Sequence, residues 1–154
     1  MTGRASGRDG TGAAARPGAA VVAGFLLAIG LAGPAAAQPL ADTRWRAVML
    51  EDRELPRWPR VEIRFDEDGR VSGHGGCNDV LGSYARDGPT IAITPRRAAR
   101  ESCQPAANRI ERNVLDALAA ATTARAPEAG RMVLRDADGE KRMELVRIAD
   151  DPLE

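Results

Sequence analysis

Gly73-His74-Gly75-Gly76-Cys77-Asn78-Asp79, running on through Leu81-Gly82-Ser83-Tyr84, is the stretch whose reading decides the fold. It joins two short β-like runs and holds the only histidine and one of the two cysteines. Glycines at this density permit a bulge or a positive φ where a strand bends sharply. Asn78-Asp79 supplies the side-chain to backbone hydrogen bonds that hold such bends. A phosphate cradle would need a Gly-Lys-Ser/Thr ending and a helix N-terminus after it, and here a strand follows. Gly73, Gly75, Gly76 and Asn78 therefore read as a structural turn.

Working outward, Val61, Ile63 and Phe65 alternate with Glu62 and Arg64, the period of a half-buried strand. Asp66-Glu67-Asp68-Gly69 turns the chain into a return strand that begins at Val71. Trp45 and the run Ala47 to Leu50 form a first strand. The polar connection after it, Glu51 to Arg60, is punctuated by Pro56 and Pro59, and Trp58 within it is expected to cover an edge of the core. Downstream, Arg86-Asp87-Gly88-Pro89 turns Leu81–Ala85 toward Ile91 and Ile93, and Asp136-Ala137-Asp138-Gly139 separates Met132-Val133-Leu134 from Met143-Glu144-Leu145. Asp-Gly turns between apolar runs predict antiparallel hairpins. From Pro105 to Ala121 the period changes. Ile110, Val114 and Leu118 fall four apart with Ala117 and Ala121 beside them, which predicts one amphipathic helix laid on the sheet. The fold class is α+β.

The first residues carry Arg4, Arg8 and Arg16, then an apolar run from Ala19 to Leu31, then Gly33-Pro34 and Ala35-Ala36-Ala37. That order predicts a signal peptide over residues 1–37, cleaved after Ala37. The apolar run, about 13 residues, is shorter than the roughly 20 that span a bilayer, so no stable membrane span is expected after cleavage. The mature chain, residues 38–154, suits a single domain with an ordered core over 42–148 and a fraying tail from Asp150. Removing the leader takes three of 22 basic and one of 22 acidic residues, leaving a slight acidic excess. Nucleic-acid binding, which calls for a clear basic excess, gains no support. The protein is expected in the periplasm or secreted.

Cys77 and Cys103 are an even pair in an exported chain and read as a disulfide; two buried free thiols or a redox site are the other states open to them. A bridge closing about 26 residues stabilises by roughly 3 to 4 kcal/mol in the loop-entropy description. His74 with Cys77 suggests a nucleophilic pair, but nothing in the sequence supplies a third group to orient the ring. A zinc site from His74, Cys77 and Cys103 lacks a fourth ligand, and Asp136-x-Asp138-Gly139 lacks most ligands of a calcium loop. No metal and no cofactor are expected. Arg96, Arg97 and Arg100 cluster ahead of Cys103; they read first as a solvated loop offset by nearby acids, and second as a surface for an anion or an acidic partner.

Taken in order, Trp45, Asp68-Gly69-Arg70-Val71-Ser72-Gly73, Gly76-Cys77-Asn78, Gly82, Tyr84, Ile91, Ile93, Cys103, Glu111, Leu118, Leu134 and Asp138-Gly139 resemble the META domain of the heat-shock HslJ family. The resemblance spans roughly residues 42 to 148. It departs at Ala99, where typical members carry a threonine four residues before the cysteine. It implies a strongly curved, mainly antiparallel sheet, half-open and barrel-like, under one helix. It also implies an envelope protein associated with heat and antibiotic tolerance, without established catalysis; a related domain occurs in a trypanosomatid virulence-associated protein. The expected function is a non-enzymatic binding or stress-related domain whose partner is a protein, peptide or apolar ligand of the envelope. Trp45, Tyr84, Arg96, Arg97 and Arg100 are the candidate contact residues. The alternative is a small thiol-dependent enzyme using Cys77 and His74.

Overall fold

The structure, a computed structural model, describes residues 39–98 and 101–149. Residues 1–38, where the signal peptide is expected, Ala99, Arg100 and the tail from Asp150 lie outside the described residues. The strands are β1 (Thr43–Leu50), β2 (Arg53–Glu54), β3 (Glu62–Phe65), β4 (Arg70–His74), β5 (Asp79–Asp87) and β6 (Thr90–Arg97). Helix α1 (Pro105–Ala120) follows, then β7 (Thr123–Glu128), β8 (Arg131–Arg135) and β9 (Lys141–Ile148).

The Asp-Gly turns fall where the sequence places them. Asp66 to Gly69 joins β3 to β4, with the Asp66 N–H donating to Arg70 O at 2.9 Å. Asp136 to Gly139 joins β8 to β9, its Asp136 Oδ1 accepting from the Asp138 and Glu140 N–H groups at 3.1 and 2.9 Å. Consecutive antiparallel pairing runs from β3 through to β9. The curvature implied by the resemblance is then carried to closure. β1 pairs with β3 on one side and with β9 on the other, from Arg44↔Ile148 to Leu50↔Met143. Eight antiparallel strands thus form a closed barrel, with β2 as a short appendage on β1.

The wall is weakest between β6 and β7, which share a single pair, Thr90↔Thr123. The chain leaves β6 at Arg97 and must come back to its opposite end, so α1 has to run along the strand. The lengths agree: the helix spans about 24 Å and the strand about 26 Å. Pro105 at the first turn needs no N–H partner, and the Asn108 side chain donates to Cys103 O at 3.0 Å, tying down the entry. The stripe of α1 buries Val114, Ala117 and Leu118.

The interior is filled. Trp45, Ile63, Phe65, Val71, Val80, Ile91, Leu134, Met143 and Leu145 are each at most 3% exposed, and they come from nearly every strand of the wall. Full burial of such side chains contributes about 1.5 to 3 kcal/mol each. Trp45, expected as a contact residue, belongs to this core: its indole N–H donates to Thr43 Oγ1 at 2.7 Å, and that hydroxyl donates in turn to Leu40 O. The polar end of the ring is satisfied inside, so burial removes it from any surface. Trp58 goes the other way. Expected over a core edge, it is 80% exposed, because the connection between β2 and β3 carries it away from the wall.

Candidate functional site

The glycine turn between β4 and β5 meets α1 at a buried carboxylate. Gly73 and Gly76 take positive φ, 152° and 108°, and a Cβ on Gly73 would stand 1.9 Å from Glu62 O. The strand bends there because only a residue without a side chain lets β3 approach so closely. Gly75 closes the turn, its N–H donating to Asn78 O at 2.9 Å. Cys77 is bonded to Cys103, with Cα atoms 5.9 Å apart, which joins the turn to the segment entering α1.

Asn78, 4% exposed, is the hub. Its backbone N–H and its side-chain amide donate to Glu111 Oε2 at 2.9 and 2.7 Å. Its Oδ1 accepts from the Glu101 N–H at 2.8 Å. Glu111 is fully buried and also pairs with the Arg97 guanidinium from the end of β6. Burial pushes the Glu111 carboxyl up, but the two Asn78 hydrogen bonds and then Arg97 outweigh it, and the group is held below its ordinary value of 4.5. One carboxylate therefore ties the glycine turn, β6 and α1 together beside the disulfide. The expected stripe led with Ile110; the structure buries Glu111 and leaves Ile110 only half-buried. The signal for this was present, since Glu111 lies three residues before Val114 and seven before Leu118.

The expected contact residues are dispersed. Trp45 is in the core, and Arg97 is taken up by Glu111. Tyr84 is half-buried, edge-on to Phe65 at 5.0 Å between ring centres, and its hydroxyl donates to Asp66 O at 2.9 Å. Burial, then the Asp66 carboxylate, raises the Tyr84 pKa above its ordinary 10.0. Arg100 lies outside the described residues. Arg96 is exposed and lines a recess of about 700 Å³ on the outer wall over β4 to β6. Its floor follows the register Arg70↔Ser83, Ser72↔Leu81, Leu81↔Arg96 and Ser83↔Thr94. A second recess of about 520 Å³, reaching Arg44, His74 and Asp79, shares Ser72 and Leu81 with the first.

Of the alternative reading, the nucleophile is engaged and the base is not: the Asp79 carboxylate beside Nδ1 would orient the ring and leave Nε2 open. His74 Nδ1 lies 3.2 Å from Asp79 Oδ1 across the β4–β5 pair, and the Cys77 sulfur is bonded to Cys103. The same bond withdraws both thiolates from a zinc site. Among the described residues, no group of three or more His, Cys, Asp or Glu is arranged to hold a metal ion.

With this geometry in view, comparison with known proteins decides the family. The profile of the META domain matches residues 38–149. The chain belongs to the META domain family. Among solved structures, the META domain described here is similar to a protein from Burkholderia xenovorans determined by NMR, at 25% identity and TM-score 0.56, covering 71% of this chain and 84% of that one. It also resembles a DUF4847 family protein from Bacteroides vulgatus solved by crystallography, at 15% identity and TM-score 0.52, covering 73% of this chain and 96% of that one. The latter likeness is one of fold. No curated protein gives a significant match.

Proposed function

We propose that this META domain is an exported, non-enzymatic binding domain of the bacterial envelope, with a stress-related role, and that it engages a protein or peptide on the outside of its barrel. One observation carries the reading. The interior is filled, so an apolar guest finds no room there, whereas the outer wall over β4 to β6 offers the recess floored by Ser72, Leu81, Ser83 and Thr94 and flanked by Arg96, by Arg70 (paired with Asp68) and by Asp66. A half-apolar floor beside the Arg96 guanidinium suits an extended segment that places an acidic side chain at that end. Export is supported by the leader and by a bridge of a kind that persists in oxidising compartments. The thiol-dependent alternative is disfavoured while Cys77 stays bonded.

Two experiments test this. Fractionation of the full chain is expected to place a product beginning at Gln38 in the periplasm or medium; cytoplasmic retention of residues 1–37 contradicts export. Capture from envelope extract is expected to retain a specific protein on the wild-type domain and to lose it on Arg96→Glu. Equal capture by both contradicts the assignment of the recess.

A further inference from the structure

We infer that the loop between β2 and β3 is a membrane-surface contact, in which a layer of anionic lipid headgroups is gripped by Arg46, Arg57 and Arg60 while the Trp58 indole enters the interface. The surface is separate from the recess over β4 to β6 and shares no lining residue with it, so either assignment can fail without the other.

Trp58 is the one large apolar side chain left exposed among the described residues, at 80%, whereas Trp45 is buried at 3%. An indole this exposed is open to a partner, and the charge around it says which kind. Beside it, Arg46 from the outer row of β1 joins Arg57 and Arg60 around a recess of about 430 Å³ whose apolar lining includes Val48, Leu55 and Pro56.

The charges of this cluster are only partly offset, by Glu54 in the recess and by Glu62 opposite Arg46 across the β1–β3 pair. Arg70, Arg131 and Arg142 on other strands hold carboxylates at ion-pair distance, but among the described residues none is so placed against Arg46, Arg57 or Arg60. Glu54, which lines the same recess, is its single acid. Three guanidinium groups around a small recess match the planar, bidentate geometry of phosphate oxygens.

Tryptophan beside that charge distinguishes a bilayer from other polyanions. Its ring is amphipathic and settles at headgroup depth, where apolar and charged groups are met within one layer. A soluble acidic partner would pair the arginines but would leave the projecting ring in water unless it also brought a pocket. Among the described residues no helix is long and apolar enough to cross a membrane. With few charges and one ring, the contact is reversible and salt-sensitive.

The test is sedimentation of the mature protein with vesicles of phosphatidylcholine alone and of phosphatidylcholine with an equal part of phosphatidylglycerol. Binding to the anionic vesicles is expected, weakening with salt, together with a blue shift of tryptophan emission that Trp58→Phe abolishes. Arg57→Gln and Arg60→Gln are each expected to weaken binding about fivefold. Trp58→Ala is expected to remove most of the binding and to leave the circular dichroism unchanged, since Trp58 is 80% exposed and outside the core. Equal binding to both vesicle types, absence of binding, or binding indifferent to these variants overturns the proposal. Displacement by inorganic phosphate at constant ionic strength overturns it in favour of a small-anion site. Equal binding of soluble polyglutamate overturns it in favour of an acidic protein partner.

Discussion

Replacing Glu111 with alanine is expected to cost about 3 kcal/mol of folding stability, the lower end for removing one partner of a buried charge pair. The magnitude follows from what is left behind. Two Asn78 donors, at 2.9 and 2.7 Å from Oε2, lose their acceptor in a site where Asn78 is 4% exposed. Each orphaned donor costs about 1 to 3 kcal/mol. Arg97 adds little, because its side chain is 34% exposed and water takes over. Glu111→Gln keeps an acceptor and loses the charge, so a smaller loss, about 1 kcal/mol, is expected. The pH dependence has a definite sign. The folded carboxyl sits below its ordinary 4.5, so its contribution is complete above that value and disappears as pH falls through the lower, folded value. Urea unfolding of the wild type, Glu111→Ala and Glu111→Gln at neutral and acidic pH measures both effects. The gap between wild type and Glu111→Gln should narrow toward acid. A loss below about 1 kcal/mol for Glu111→Ala, or a gap that does not move with pH, would refute the buried-carboxylate account.

Other consequences are open to direct measurement. Reduction of the oxidised protein should lower stability by about 3 to 4 kcal/mol, read as a shift of the guanidinium midpoint between samples with and without reductant. Gly73→Ala should lose more than about 2 kcal/mol in the same titration, because the new Cβ would meet Glu62 O at 1.9 Å. Tyr84→Phe should cost about 1 kcal/mol by giving up the hydrogen bond to Asp66 O. Since burial raises the folded Tyr84 pKa, its contribution is complete below pH 10.0 and declines as pH rises through the folded value, so wild type and Tyr84→Phe should converge in strong alkali.

What was legible in the sequence was local. Alternation at Val61, Ile63 and Phe65, the Asp-Gly turns and the four-residue spacing in α1 each report on neighbouring residues, and the structure has those strands, turns and that helix. Barrel closure depends on Arg44 meeting Ile148 from opposite ends of the domain, and no local pattern records such a register. β7 escaped notice because Thr123–Glu128 buries one residue, Ala124, and carries Pro127. The tryptophans exchange expectations for one reason: hydrophobicity says a ring can be buried, but the Thr43 hydroxyl decides that Trp45 is, and loop geometry leaves Trp58 out. At the site, the disulfide was readable from the cysteine count and the export expected of the first 37 residues. The Asn78–Glu111–Arg97 lock was not, since its three members come from segments that only the folded barrel brings together.

Peptide mapping of the mature protein, isolated without reductant and alkylated while denatured, asks most directly whether the glycine turn is fastened to the start of α1. The expected result is a cross-linked peptide joining Cys77 to Cys103 with neither sulfur alkylated. Recovery of both cysteines as alkylated, unlinked peptides from protein of the periplasm or medium would contradict it.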